Sequence, residues 1–320
     1  MSNQNAPRKG KKIVIPGSSS AVPAQNNPMN TKAEAPGTDQ QRAALNEIAR
    51  VQQQNQINNQ GQVPGQQFDF SKVHLHIGIP CYGGMVSEPT MTSFLRFVLM
   101  ASQYGLNWSL DTMVNESLVT RARNNLMAKM MTNDKATHFM FIDADIRFQP
   151  ESIFQMIAHD KDVIGGLYPK KALPINYVIN LKPTVTVQGD IYTVDTMGTG
   201  FLLFKRHVYE KLIAAHPESK YVDDIGLGKQ FEPMMYAIFD CVIDERGHYL
   251  SEDWTFCRRW QALGGEIWAH SKTLLNHVGH YEFAGDLSKL DINSFAAPAP
   301  ANQQPSGTMP PAFLDETATA

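Results

Sequence analysis

The segment His138-Phe-Met-Phe-Ile-Asp-Ala-Asp-Ile146 is an apolar run that ends abruptly in two carboxylates one residue apart. Between Phe139 and Ala144 only Asp143 is polar, so the run is short and apolar enough for a strand buried on both faces of an α/β sheet. In open α/β sheets the ligand crevice lies beyond the carboxyl ends of the strands, which is where Asp143 and Asp145 fall. Residues i and i+2 of an extended chain point the same way, so the two carboxylates should converge. Two anions that close repel unless a cation lies between or beside them. A hard divalent ion with oxygen ligands, carrying a phosphorylated substrate, is the expected occupant; a solvated Asp-x-Asp turn is the plain alternative.

Around this run, strands and helices alternate. A strand over 73–79 leads through Pro80, Gly83 and Gly84 to a helix over 88–104, capped by Ser87 and ended by Gly105, with Met91, Phe94, Leu95, Val98 and Leu99 as its apolar stripe. A strand over 107–114 and a helix over 117–131 follow, the helix burying Val119, Ala122, Leu126 and Met130. Pro150 opens another helix with Ile153, Phe154, Ile157 and Ala158 inward, and 162–168 is a strand. Further on, 184–194 reads as a hairpin turning at Gly189-Asp190, 200–204 as a strand, 206–215 as a helix and 235–239 as a strand. A last helix starts at Ser251 and buries Phe256, Trp260 and Leu263. Right-handed βαβ units imply a single Rossmann-like α/β domain with a mainly parallel central sheet.

Residues 1–67 are rich in Gln, Asn, Pro, Ser and Ala, and 291–320 repeat that composition, which buries too little apolar surface to offset chain entropy. They read as disordered tails, with a short amphipathic helix conceivable over 39–52, and the domain occupies 68–290. The net charge of −3 and the absence of a basic run in the core argue against nucleic acid as partner. Cys81, Cys241 and Cys257 have no metal spacing and read as reduced thiols. No signal-peptide core opens the chain, and no stretch approaches the about 20 apolar residues of a membrane span. The expected location is cytoplasmic, that of a virus-infected host cell included.

In order along the chain stand Ile77-Gly-Ile-Pro-Cys-Tyr82, Arg121-Ala-Arg-Asn124, Asp143-Ala-Asp145, Gly198-Thr-Gly-Phe201, Ser251-Glu-Asp-Trp254 and His277-Val-Gly-His280. This order resembles the nucleotide-sugar glycosyltransferases of the A-type fold, near the large inverting glycosyltransferase family 2 and its bacterial and viral relatives, over about residues 72 to 287. The resemblance implies a nucleotide-sugar donor, a glycan, protein or small-molecule acceptor, and Mn²⁺ or Mg²⁺. Asp145 would hold the metal, Asp143 would contact the ribose and support the metal shell, and His277 or His280 would complete it. A histidine ligand favours Mn²⁺. Pro80, Tyr82, Arg121, Arg123, Asn124, Ala144 and Gly200 would line the donor, Asp253 would act as base and Glu252 would hold an acceptor hydroxyl.

Each of these residues has a plainer role available. Acids in a first turn suit the helix dipole, and a histidine on an apolar segment is commonly a hydrogen-bonded core group. Arg123, beside the apolar stripe of its helix, needs an anion, which could be a diphosphate or a site carboxylate. The inverting family often has a further acid at the end of its second strand, for which Asp111 is the candidate. The Arg-Ala-Arg-Asn helix also resembles fungal mannan-synthesising transferases, some of which retain configuration. A catalytically inactive module that binds glycan or nucleotide is another alternative. A nucleotidyl or phosphoryl transferase would use a phosphate-cradling Gly-Lys loop or an Arg cluster, and the sequence displays neither.

Overall fold

The apolar run is a strand, His138–Ile142, with Phe139 and Phe141 on one face and Met140 and Ile142 on the other, all four fully buried. Burial on both faces explains why it lacks the alternation of a half-exposed strand. The computed structural model describes residues 68–285, the strand 11–14 and the helical positions Asn46 and Arg50. All of these belong to the compact unit Met1–Leu290.

In chain order the first elements are β1 (Lys11–Val14), β2 (His74–Cys81), α1 (Glu88–Tyr104), β3 (Asn107–Val114), α2 (Val119–Met131) and β4 (His138–Ile142). Then come β5 (Ile146–Phe148), α3 (Pro150–Ala158), β6 (Val163–Gly166), β7 (Ile179–Asn180), β8 (Thr184–Gln188), β9 (Ile191–Val194) and β10 (Thr196–Met197). The remainder is β11 (Phe201–Lys205), α4 (Arg206–Ala215), β12 (Val242–Ile243), β13 (Tyr249–Leu250), α5 (Glu252–Ala262), β14 (Ile267–His270), β15 (Leu275–Val278) and β16 (Glu282–Gly285).

The central sheet has nine strands in the order β1-β8-β9-β14-β6-β11-β4-β2-β3. Strands β3, β2, β4, β6, β14 and β8 run one way, and β11, β9 and β1 run against them. The domain is thus α/β with a mainly parallel sheet, as its alternating pattern implies. Side chains of α2, α4 and α5 pack on one face and those of α1 and α3 on the other. A separate three-stranded sheet, β16-β15-β5, carries the chain onward from the end of β4. The strand at 11–14 pairs antiparallel with β8 inside a stretch that composition assigns to a tail. Most of the segment 39–52, read as tail with a short helix conceivable in it, lies outside the described residues, as do 286–320.

Three expectations about packing are corrected. Helix α1 is capped by Ser87 and ended by Gly105 at φ 68°, but it turns Thr90, Ser93, Phe97 and Ala101 to the core. Met91, Leu95, Val98 and Leu99 are exposed instead. Small side chains on the inner face let the helix sit close, and Ser93 Oγ accepts from the backbone N–H of Phe148. On the other helices Val119, Ala158 and Leu263, expected inside, are also exposed.

Residues 235–239 form no strand; Tyr236 makes one isolated bridge to Lys220. Their apolar character serves burial: Met235, Ile238 and Phe239 are fully buried, and Phe239 stacks on Phe256 at 4.8 Å and 6°. Side chains satisfy the irregular backbone. Arg259 Nη1 donates to the carbonyls of Ala237 and Ile238 at 2.7 Å, and Asn124 bonds both the N–H and the C=O of Phe239.

Phe256 also meets Phe204 at 5.4 Å, so it joins α5 to the sheet and to the irregular arm. Phe256→Ala should lower unfolding free energy by about 3–5 kcal/mol, read from urea melts, because the site cannot collapse around a missing ring. A loss under about 1 kcal/mol, the range of a surface change, would show that the stack does not bear on the core.

Candidate functional site

Strands β2, β3 and β4 are adjacent and parallel, and their carboxyl ends open on one cleft of about 600 Å³. Pro80 and Tyr82 after β2, Glu116 and Ser117 after β3, and Asp143, Ala144 and Asp145 after β4 form its walls with Met85, Val86 and Ser87. His277, Val278 and Gly279 close it from β15. Tyr82 is 71% exposed, leaving its ring free to meet a ligand. Ser87 N donates to Ala144 O at 2.8 Å, tying the loop after β2 to the turn after β4.

The two aspartates line one cleft but have different partners. Residues 144 and 145 form a turn, closed by Ile146 N donating to Asp143 O at 3.1 Å, so the extended geometry that aligns i with i+2 ends at Asp143. Each carboxylate has its own cation. Arg123 Nη2 donates to Asp143 at 3.0 and 3.3 Å, and Arg123 Nε donates to Glu252 Oε1 at 3.3 Å. This guanidinium is buried and lies 5.2 Å from the centre of the Phe141 ring. Burial would lower its pKa, but Asp143 and Glu252 outweigh that and raise it, so it stays charged. Its Nη1 is buried without a hydrogen-bond partner.

Asp143 is held from below as well. Asp143 N donates to Gly200 O at 2.8 Å, and Gly200 N donates to Tyr168 Oη at 3.0 Å. A Cβ at Gly200 would sit 2.7 Å from Asp143 Oδ2. The Gly198-Thr-Gly200 turn therefore lets Tyr168 and Asp143 approach the backbone.

Asp145 Oδ2 accepts from Lys171 Nζ at 2.5 Å, and its Oδ1 lies 3.5 Å from His277 Nε2. Burial would raise the Asp145 pKa; hydrogen bonds and charge from His277 and Lys171 prevail and lower it. Strand pairing makes this meeting, since β15 runs antiparallel to β5 with His277 opposite Ile146. His277 Nδ1 lies 2.9 Å from Pro169 O, which can only accept, so Nδ1 carries a proton and Nε2 is the nitrogen turned toward Asp145. A metal-binding histidine commonly donates its other ring N–H to a carbonyl in this way. Asp145 and His277 are of the residue types that could hold a divalent ion, with phosphate and water needed to complete its shell. Among the described residues no three His, Cys, Asp or Glu side chains cluster tightly enough to hold one unaided. His280 lies past the end of β15, exposed, next to the wall residue Gly279 but not itself part of the wall.

Other expected residues go elsewhere. Asn124 is buried with its amide spent on Phe239, so it braces the arm and cannot line the donor. Arg121 grips Glu116 at 2.6 and 3.1 Å and lies 3.7 Å from Asp224. Glu116 is the acid at the cleft end of β3, with its pKa lowered chiefly by that bond. Asp111 lies within the strand, bonded to His76 at 2.9 Å. Lys171 and Tyr168 escape a reading of motifs because each is defined by a partner distant in sequence.

No protein-family model matches the chain, and no curated protein matches it in sequence. Among solved structures it is similar to a protein from STIV, at 16% identity and a TM-score of 0.39 over 65% of this chain and 86% of that one. It is similar to the inositol-1-phosphate CTP transferase from T. maritima, at 9% identity and a TM-score of 0.37 over 66% and 91%. A UDP-glucose pyrophosphorylase complexed with UDP-glucose is similar at 10% identity and a TM-score of 0.32 over 72% and 80%. Likenesses this distant carry no argument about activity.

Asp253 heads α5 beside Glu252; its Oδ1 accepts from Trp254 N at 2.8 Å and from Ser251 Oγ. Burial is the main cause that raises its pKa, over the lowering effect of the Ser251 bond. A raised carboxyl pKa means the fold disfavours the charged form, so the cost is present at neutral pH and vanishes below the unfolded pKa of about 3.9. Asp253→Asn should therefore melt at a higher temperature than the wild type at pH 7, and the gain should disappear near pH 3. An equal or lower melting temperature at pH 7 would mean that the helix-dipole contribution of the carboxylate prevails.

Proposed function

We propose that the chain is a metal-dependent glycosyltransferase that moves a sugar from a nucleoside-diphosphate sugar to a hydroxyl acceptor with inversion. The observation that supports this reading is the chain of contacts from the cleft to α5: Asp143 on the wall, Arg123 behind it, and Glu252 beside Asp253. A pure binding module has no use for a half-buried, raised-pKa carboxylate next to an acid that is ion-paired toward its ligand cleft.

In this reading the nucleoside lies against Pro80 and Tyr82, with Glu116 facing its base or ribose. Asp145 and His277 Nε2 would hold Mn²⁺ or Mg²⁺, which when bound offsets the charge growing on the departing diphosphate. Arg123 fixes Asp143 and Glu252 at a constant separation, so donor and acceptor are presented in one geometry. Asp253 takes the acceptor proton as the hydroxyl attacks the anomeric carbon. Its lifted pKa makes it a stronger base than an exposed aspartate.

Calorimetry should find that Mn²⁺ tightens nucleoside diphosphate binding and that Asp145→Ala removes this gain. Unchanged metal dependence in that variant would overturn the metal assignment. Asp253→Asn should cut sugar transfer at least about a hundredfold and leave nucleotide binding intact, the loss expected when a general base is removed. Near-normal turnover would return Asp253 to the role of a helix-start acid.

A further inference from the structure

Three cations hold acids that line the cleft, and their freedom differs. Arg123 is 4% exposed and shared between Asp143 and Glu252. Arg121 is committed to Glu116 through two nitrogens and lies outside the cleft wall. Lys171 is 38% exposed and touches Asp145 through a single ammonium. Its stem lies across Gly279, a wall residue, where an added Cβ would come within 3.3 Å of Cδ. The segment that carries it is anchored: Lys170 N donates to Asn176 O at 2.6 Å, Pro169 pairs with Tyr177, and Pro169 O receives His277 Nδ1.

Asp145 offers Oδ1 to His277 and Oδ2 to Lys171, so the ammonium can leave without disturbing the imidazole side. A lysine is a compact point charge on a flexible stem and changes partners more readily than a forked guanidinium. We propose that Lys171 is a diphosphate-binding residue, its ammonium passing from Asp145 to a phosphate oxygen of the bound donor. This rests on the reading of the cleft as a nucleotide-sugar site. In the transfer step the bond from the anomeric carbon to the distal phosphate oxygen breaks, and its electron pair stays on that oxygen. The acceptor oxygen bonds the anomeric carbon and yields its proton to Asp253. The nucleoside diphosphate leaves with one more negative charge, which Lys171 meets as a hydrogen-bond donor.

The test uses the full chain, with inorganic pyrophosphate and uridine as calorimetric probes, in Mn²⁺ and in chelator. Lys171→Met keeps the stem and should weaken pyrophosphate about tenfold or more, the effect of one charge-assisted hydrogen bond, while Lys171→Arg restores most of it. Uridine binding should not change. A Lys171→Met protein that binds pyrophosphate like the wild type would overturn the proposal and leave Lys171 as a partner of Asp145 alone. Should that variant fold poorly, Asp145→Asn in chelator should bind pyrophosphate more tightly than the wild type, and adding Lys171→Met should abolish the gain. Retention of the gain in the double variant would also overturn the proposal. A wild type that binds neither pyrophosphate nor any nucleoside diphosphate would overturn the cleft reading itself, a result distinct from binding that ignores Lys171.

Discussion

The site and the fold share one buried guanidinium. A full charge buried over a phenylalanine ring is tolerable only while carboxylates face it. Arg123 finds them on two elements far apart in sequence: Asp143 at the end of β4 and Glu252 in the first turn of α5. Loss of either acid would leave a charge partly uncompensated in the interior. The pairing therefore fixes where α5 begins relative to the sheet, and with it where Asp253 stands. Stability and geometry at the cleft cannot be altered independently through these three residues.

A good part of this was legible in the sequence. The apolar run at 138–142 declares a strand buried on both faces, and the abrupt change to Asp-Ala-Asp marks its carboxyl end. The alternation of elements implies a parallel sheet, and a parallel sheet implies a cleft where Pro80, Tyr82 and Asp143–Asp145 gather. Less legible was anything decided by a distant partner. Lys171 reads as a loop lysine until the fold brings it to Asp145, 26 residues away. Asn124 stands in a polar motif, yet its amide is occupied by the backbone of Phe239.

Periodicity misled in two places for one reason. In α1 the larger apolar side chains trace a helical stripe, but the small residues opposite allow the closer approach to the sheet. At 235–239 the apolar run suggests a strand, but the requirement it meets is burial beneath α5, with side chains in place of a ladder. Apolar pattern reports that a segment has an interior face. It does not say which helix face is favoured when small residues compete, nor what satisfies the backbone.

The pairing of β15 with β5 places His277 opposite Ile146, one residue beyond Asp145. Distance between imidazole and carboxylate is thereby counted in residues. One residue inserted between Asp145 and Ile146 would move Asp145 out of step with His277, because the pairing of β5 with β15 fixes His277 opposite Ile146. Substitution can retune this site gradually, but a change in chain length would erase it in one step. The turn after β4 is therefore a place where the gene can tolerate altered letters far better than an altered count.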